Sequence, residues 1–215
     1  IQFTDSFVKV ALYKLLVFLN AGSFGVDAAS IVAVLGSAGV AIGLAIQGSL
    51  SNFAGGVLIL LLKPFKVGDY IVEDNKGNEG TVTEIQLFYT KLTTYDNKVI
   101  ILPNGTLANT SMTNVTEKAK RRLDVPVGVA YDTDLREAKK VLTDLLKEDP
   151  ATLKKEEMFV YVDELGDSAV KLCLRCWVKQ EDYWKTRWRL TERVKYTLDE
   201  AGISIPFPQI DVHQK

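Results

Sequence analysis

Few side chains in this sequence have the type and spacing that chemistry requires. Cys173 and Cys176 stand in a C-x-x-C spacing, which serves a metal or a dithiol only if a turn or a second ligand pair completes the site. Lys171 to Val178 reads as a strand instead, and residues three apart on a strand point to opposite faces. The only histidine, His213, lies far along the chain. The expectation is a pair of buried, reduced thiols. Asp132 and Asp134 imitate a paired-carboxylate site, but they sit where a helical pattern begins, and carboxylates there act as caps. Gly43 to Gly48 has the spacing of a phosphate loop, yet Ser49 occupies the place of the required lysine. Lys118, Lys120, Arg121 and Arg122 form a basic run that reads as a solvated face before a strand. These residues make no catalytic constellation, so neither enzyme activity, a metal nor a cofactor is expected.

The distribution of charge points elsewhere. The 215 residues are 47% hydrophobic and 25% charged, with a formal net charge of −1. That balance gives no whole-chain attraction to nucleic acid or anionic lipid. From Ile1 to Leu62 the formally charged side chains are Asp5, Lys9, Lys14 and Asp27, whereas charges recur every few positions beyond Lys63. Ser30 to Leu62 carries none, and this run exceeds the roughly 20 residues that span a bilayer. A signal peptide is shorter and ends at a cleavage site, so it does not fit. Residues 3–21 are a second apolar stretch, interrupted by Lys9 and Lys14, and also read as a membrane helix. The chain opens on Ile1, so upstream sequence is expected. Lys63 and Lys66 follow the apolar run and Asp27 precedes it, which places the charged body in the cytoplasm by the positive-inside tendency.

Residues 28–47 make one crossing of about 30 Å. Gly36, Ala38, Gly39, Ala41, Gly43 and Ala45 leave little bulk for lipid, and small residues let membrane helices approach closely. At about 100° per residue, Ala33, Ser37, Val40, Leu44 and Gln47 share one face. The glycines flank it on one side and the alanines on the other. In a ring of identical helices the glycine flank of one copy meets the alanine flank of the next, a heterologous contact that closes on itself. Val40 and Leu44 then form stacked apolar rings at the axis, a constriction that gates by dewetting. Packing within one subunit explains the small residues equally well at this stage. Gly48 predicts a helix break and a hinge, with a second helix over residues 49–62.

Residues 66–120 read as short strands separated by turns such as Asn75-Lys-Gly77 and Asn104-Gly105, a small β domain. An RNA-binding module is a rival for this segment, but it lacks an aromatic platform in a strongly basic stretch. Residues 121–205 read as strand, helix, strand, strand and helix, most of a ferredoxin-like α+β unit. Pro206, Phe207, Pro208, Gln209, Ile210, Asp211 and Val212, within residues 206–215, read as an isolated strand whose edges need partners from other copies.

The run GSAGVAIGLAIQGSLSNFAGGVLILLLKPFKVGD, from Gly36 to Asp69, resembles the pore helix and following segment of the small-conductance mechanosensitive channels. VIILPNG (Val99 to Gly105), GVAYDTD (Gly128 to Asp134) and AGISIPFPQIDV (Ala201 to Val212) resemble that family's cytoplasmic body. The resemblance implies a homoheptamer, multi-pass in the bacterial cytoplasmic membrane, that opens under lateral lipid tension and passes ions and small osmolytes. It implies an Sm-like β domain at residues 66–120, a C-terminal strand in an intersubunit barrel, and no nucleic-acid partner. It puts the pore gate on Val40 and Leu44 and the kink on Gly48. Residues 1–65 then hold the family's second and third membrane helices, and the first is absent from this chain. A membrane-anchored, ring-forming scaffold with an Sm-like domain is the alternative.

Overall fold

The computed structural model describes residues 2–20, 27–210 and 212. It divides into two units, Ile1–Asn114 and Val115–Lys215.

The first unit opens with helix α1, Gln2–Asn20, and continues with α2, Ala28–Leu62. The 35 residues of α2 extend about 52 Å at 1.5 Å per residue. The expected break at Gly48 does not occur. α2 is one continuous helix, and Gly48 does not take a positive φ. A glycine costs a helix only about 1 kcal/mol, whereas a break strands backbone donors and acceptors in an apolar setting. Continuity wins. The helix ends where Lys63 adopts φ 48° and its N–H donates to the Ile59 carbonyl at 2.9 Å, just before Pro64. Among the described residues one helix is long and apolar enough to cross a membrane, over Val32–Leu62, with mean hydropathy 1.6.

Five strands follow: β1 Tyr70–Glu73, β2 Glu79–Ile85, β3 Tyr89–Thr93, β4 Val99–Pro103 and β5 Met112–Asn114, with short helix α3, Asn104–Ala108, between the last two. They form one antiparallel sheet in the order β4-β3-β2-β1-β5. Alternate residues turn inward, so Ile71, Val82, Leu92 and Leu102 gather with Leu107 of α3, Ile59 of α2 and Phe65 of the segment that follows α2 in one core. The strands expected after Lys66 form a five-stranded sheet between Tyr70 and Asn114, with α2 contributing to its core.

The second unit runs β6 Lys120–Val129, α4 Leu135–Glu148, β7 Phe159–Leu165, β8 Val170–Lys179 and α5 Tyr183–Glu200. The sheet order is β6-β8-β7, all pairs antiparallel. This is the split βαβ arrangement that the order of elements predicted, with three strands. Leu172, Leu174, Cys176 and Val178 of β8 turn toward the helices and meet Leu142 and Leu146 of α4 and Leu190 and Leu198 of α5. Cys173 and Cys176 are both free and buried. Burial pushes the Cys176 thiol up to about 12, so it stays protonated and unreactive. Asp134 caps α4 by accepting from the N–H groups of Arg136 and Glu137, as its place before the helix predicted. Residues 203–210 are irregular. Asp211 lies outside the described residues. Among the described residues of this segment no strand ladder forms within one chain; Gln209 N–H donates to Ser168 Oγ at 3.1 Å instead.

One buried charge ties the helices of this unit. Asp149, fully buried, accepts from Arg189 Nε at 2.9 Å and Arg189 Nη2 at 2.8 Å, and from Ala151 N–H at 2.9 Å. Burial alone would raise its pKa. The Arg189 and Ala151 hydrogen bonds and the charges of Arg189 and Arg193 outweigh that and hold the carboxyl below its ordinary range. Removing one partner of such a pair costs roughly 3–5 kcal/mol, and Asp149→Ala is expected to lose about that at pH 7. Because the folded pKa is depressed, the contribution is present above the unfolded value of about 3.9 and fades as pH falls through the folded one. Denaturant unfolding followed by tryptophan fluorescence should therefore show the parent's advantage shrinking at pH 3. An advantage equal at pH 3 and pH 7 would remove the charge from the explanation.

Candidate pore helix and its joint with the β sheet

α2 has two parts with different surroundings. Val40 and Leu44 lie one turn apart, exposed to 64% and 67% in the single chain. Ala38, Ala41 and Ala45 are exposed as well. A methyl group added at Gly36, Gly39, Gly43 or Gly48 would meet no atom within 4 Å. Ile42, on another face, is just as bare at 62%. One chain therefore leaves this entire stretch uncovered, and brings none of the six packing positions against a partner. Apolar side chains exposed along a helix of this length require lipid or other helices.

The last third of α2 is the opposite case. Gly55 and Gly56 are buried, and the backbone of the β sheet lies directly on them. A Cβ at Gly56 would fall 2.1 Å from the Leu87 carbonyl oxygen, and one at Gly55 would fall 2.5 Å from the Asn104 carbonyl oxygen. Facing them, a Cβ at Gly105 would lie 2.7 Å from Ser51 Oγ. Only glycine permits so close an approach.

Asn104 organises this joint. It is fully buried, and its polar groups are satisfied around the β2–β3 turn. Its N–H donates to the Phe88 carbonyl at 2.9 Å, and its Nδ2 donates to the Gln86 carbonyl at 2.8 Å. Its Oδ1 accepts from Thr90 Oγ1 at 2.8 Å. The next residue reaches back to the helix, where the Gly105 N–H donates to Asn52 Oδ1 at 3.0 Å. Phe53 and Phe88 rings approach to 6.1 Å beside this network. A buried network with every member satisfied rigidifies what it joins.

In the sequence Asn104-Gly105 reads only as a turn, and no motif there points to Gly55 and Gly56 as a contact. The adjacent pair of glycines inside an otherwise bulky helix was the available signal, since interior glycine marks close backbone approach.

A bare, small-residue apolar helix locked at one end to a β sheet and followed by a separate α+β unit defines a membrane protein with a substantial body outside the bilayer. Comparison with known proteins gives the class a family. Residues 48–117 match the family description "Mechanosensitive ion channel, beta-domain" and residues 123–205 match "Mechanosensitive ion channel MscS, C-terminal". An MscS family protein of Buchnera aphidicola is 37% identical over 214 residues, covering 100% of this chain and 75% of that protein. A small-conductance mechanosensitive channel of Edwardsiella ictaluri is 45% identical over 177 residues, covering 82% of this chain and 61% of that protein. The chain thus spans 61% of one relative's length and 75% of the other's. The closed-state crystal structure of Helicobacter pylori MscS superposes with a TM-score of 0.93 at 32% identity, over 100% of this chain and 84% of that one. Arabidopsis thaliana MSL1, at 22% identity and a TM-score of 0.82, has the same fold.

This chain belongs to the MscS family of mechanosensitive ion channels.

Proposed function

We propose that the chain is the pore-forming subunit of a tension-gated channel that releases ions and small osmolytes on hypo-osmotic shock. The observation that carries this reading is α2. From Val32 to Leu50 it is apolar, rich in small residues and uncovered, and its last third is bolted to the β sheet through glycines and Asn104. Copies arranged in a ring, a heptamer by resemblance, cover the glycine and alanine flanks against each other. Val40 and Leu44 then face the axis and close the pore. α1 is the outer membrane helix beside it. Its charges Lys9 and Lys14 are reconciled with lipid by snorkelling or by neighbouring helices. The membrane is the bacterial cytoplasmic one, and the Sm-like β domain and α+β unit hang into the cytoplasm. Residues 206–212 pair with those of other copies in an axial barrel.

Gly48 is the hinge on this reading. A methyl group there meets nothing within 4 Å, so Gly48→Ala is expected to assemble normally. Alanine favours the helix over glycine by about 1 kcal/mol and should resist bending. The expected result is an altered open lifetime and altered inactivation in patch recordings; unchanged kinetics would reject the hinge.

The barrel has its own test. Phe207, Ile210 and Val212 are 79–85% exposed in one chain, and pairing with other copies would cover them. Deleting residues 206–215 should lower the temperature at which the oligomer dissociates in detergent. An unaltered dissociation temperature counts against a shared barrel.

A further inference from the structure

Two patches of the α+β unit carry opposite charge: the first is used by nothing above, and the second borders the start of the barrel segment, with Pro206, Phe207 and Gln209 among its walls. The first lies on the outer face of α5. Trp184 and Trp188 stand one turn apart, exposed to 42% and 65%, with ring centroids 6.1 Å apart. Tyr183 meets Trp184 edge to face at 5.3 Å. Arg121 lies 3.6 Å over the Tyr183 ring and Arg187 lies 5.8 Å from the Trp184 ring, with Lys185 exposed beside them. Tryptophan, tyrosine and arginine are the residue types that dominate binding energy at protein interfaces.

The second patch is a cavity of about 600 Å³ just past the other end of α5. Asp132 and Asp167 contribute its charge, Tyr131 and Phe207 its rings, and none of its walls is a lysine or arginine. Three hydrogen bonds hold the segments that frame it. Tyr131 Oη donates to the Gly166 carbonyl at 2.6 Å, Gln209 N–H to Ser168 Oγ at 3.1 Å, and Ala130 N–H to the Ser204 carbonyl at 3.0 Å.

We propose that the basic tryptophan patch of one copy of this chain seats in the acidic cavity of the next. The inference rests on the oligomeric reading above and adds which surfaces of the α+β unit meet. Opposite charges attract across such a contact, and juxtaposed like charges suppress wrong pairings. Patch against patch brings arginine to arginine, and cavity against cavity brings carboxylate to carboxylate, so the symmetric dimer is disfavoured. What remains is head-to-tail contact between two different surfaces, which closes into a ring when the rotation permits.

The test is a charge exchange between separate chains of the full-length protein. Arg187→Glu alone sets glutamate against the acidic cavity, and Asp167→Lys alone sets the basic patch against lysine. Each is expected to lower the fraction of oligomer surviving in detergent at least fivefold. Co-expressed, the two variants can alternate around the ring so that complementary charges meet at all but an odd junction. Survival should then return to within about twofold of the parent. Rescue cannot arise inside a chain, because each chain carries one substitution. Circular dichroism of each variant reads folding separately, and should either misfold, Arg187→Gln with Asp132→Asn replaces the pair, each expected to weaken assembly. Parent-like assembly of the single variants, or co-expression that restores nothing, overturns the pairing. Tension-gated currents from those same variants would leave the channel reading standing while this contact falls.

Discussion

Leu44→Asp is expected to open at markedly lower tension than the parent, or to leak at rest and slow the growth of cells expressing it. Leu44 sits one helical turn beyond Val40 on the face between the glycine and alanine flanks of α2, and in a ring one substitution changes every copy of the constriction. A narrow apolar throat disfavours continuous water, and an ion crossing it must shed hydration. An aspartate at that depth costs roughly 2.5–3.5 kcal/mol on insertion scales unless water enters, so the mutated ring recruits water and conducts sooner. Val40→Asp should behave alike. Ile42 is two residues from both, about 200° around the helix, and Ile42→Asp should instead impair insertion or packing. Activation tension is read against a reference channel in the same patch. If Leu44→Asp needs the parent's tension or more, or if Ile42→Asp alone leaks, the pore face has been misassigned.

The second large effect lies at the joint. Gly56→Ala places a methyl carbon 2.1 Å from the Leu87 carbonyl oxygen and 2.7 Å from Asn104 Nδ2. The carbonyl belongs to the backbone of the β2–β3 turn, so no side-chain rotation relieves the overlap. Overpacking typically costs 1–3 kcal/mol, more than the roughly 1 kcal/mol that alanine adds to a helix. Gly56→Ala is therefore expected to lower the melting temperature of the β sheet and loosen its hold on α2, whereas Gly48→Ala, with open space at its Cβ, should not. Limited proteolysis of the β2–β3 turn and thermal melts of both variants read this out. A Gly56→Ala protein as stable as the parent would contradict the joint.

What the residues disclosed in advance divides along physical lines. The uncharged run from Ser30 to Leu62 announced a membrane helix because composition alone decides transfer into lipid. The helices and strands of the second unit followed from local periodicity, down to the Asp134 cap. The joint was hidden because its partners are remote in sequence: Gly105 meets Asn52, and Asn104 answers to Gln86 and Thr90. Asp149 and Arg189 were hidden for the same reason, since nothing local pairs residues 40 positions apart. At Gly48 only the expected interruption of the helix was overturned. The residue's intrinsic preference suggested a break, and the hydrogen-bonding demands of an apolar helix overrode it. Residues 206–210 set Pro206 and Pro208 among Phe207, Gln209 and Ile210, and the described residues form no strand there within one chain, prolines removing two of the donors a ladder needs.

The most direct test of the account is pressure-clamp recording from a membrane patch containing the full-length protein, beside a reference mechanosensitive channel of known threshold. A tension-gated pore closed by Val40 and Leu44 is expected to give stepwise currents that begin at a reproducible tension below patch rupture, and that begin at lower tension for Leu44→Asp. Patches in which the reference channel opens while this protein, confirmed in the membrane, carries no current up to rupture would contradict it.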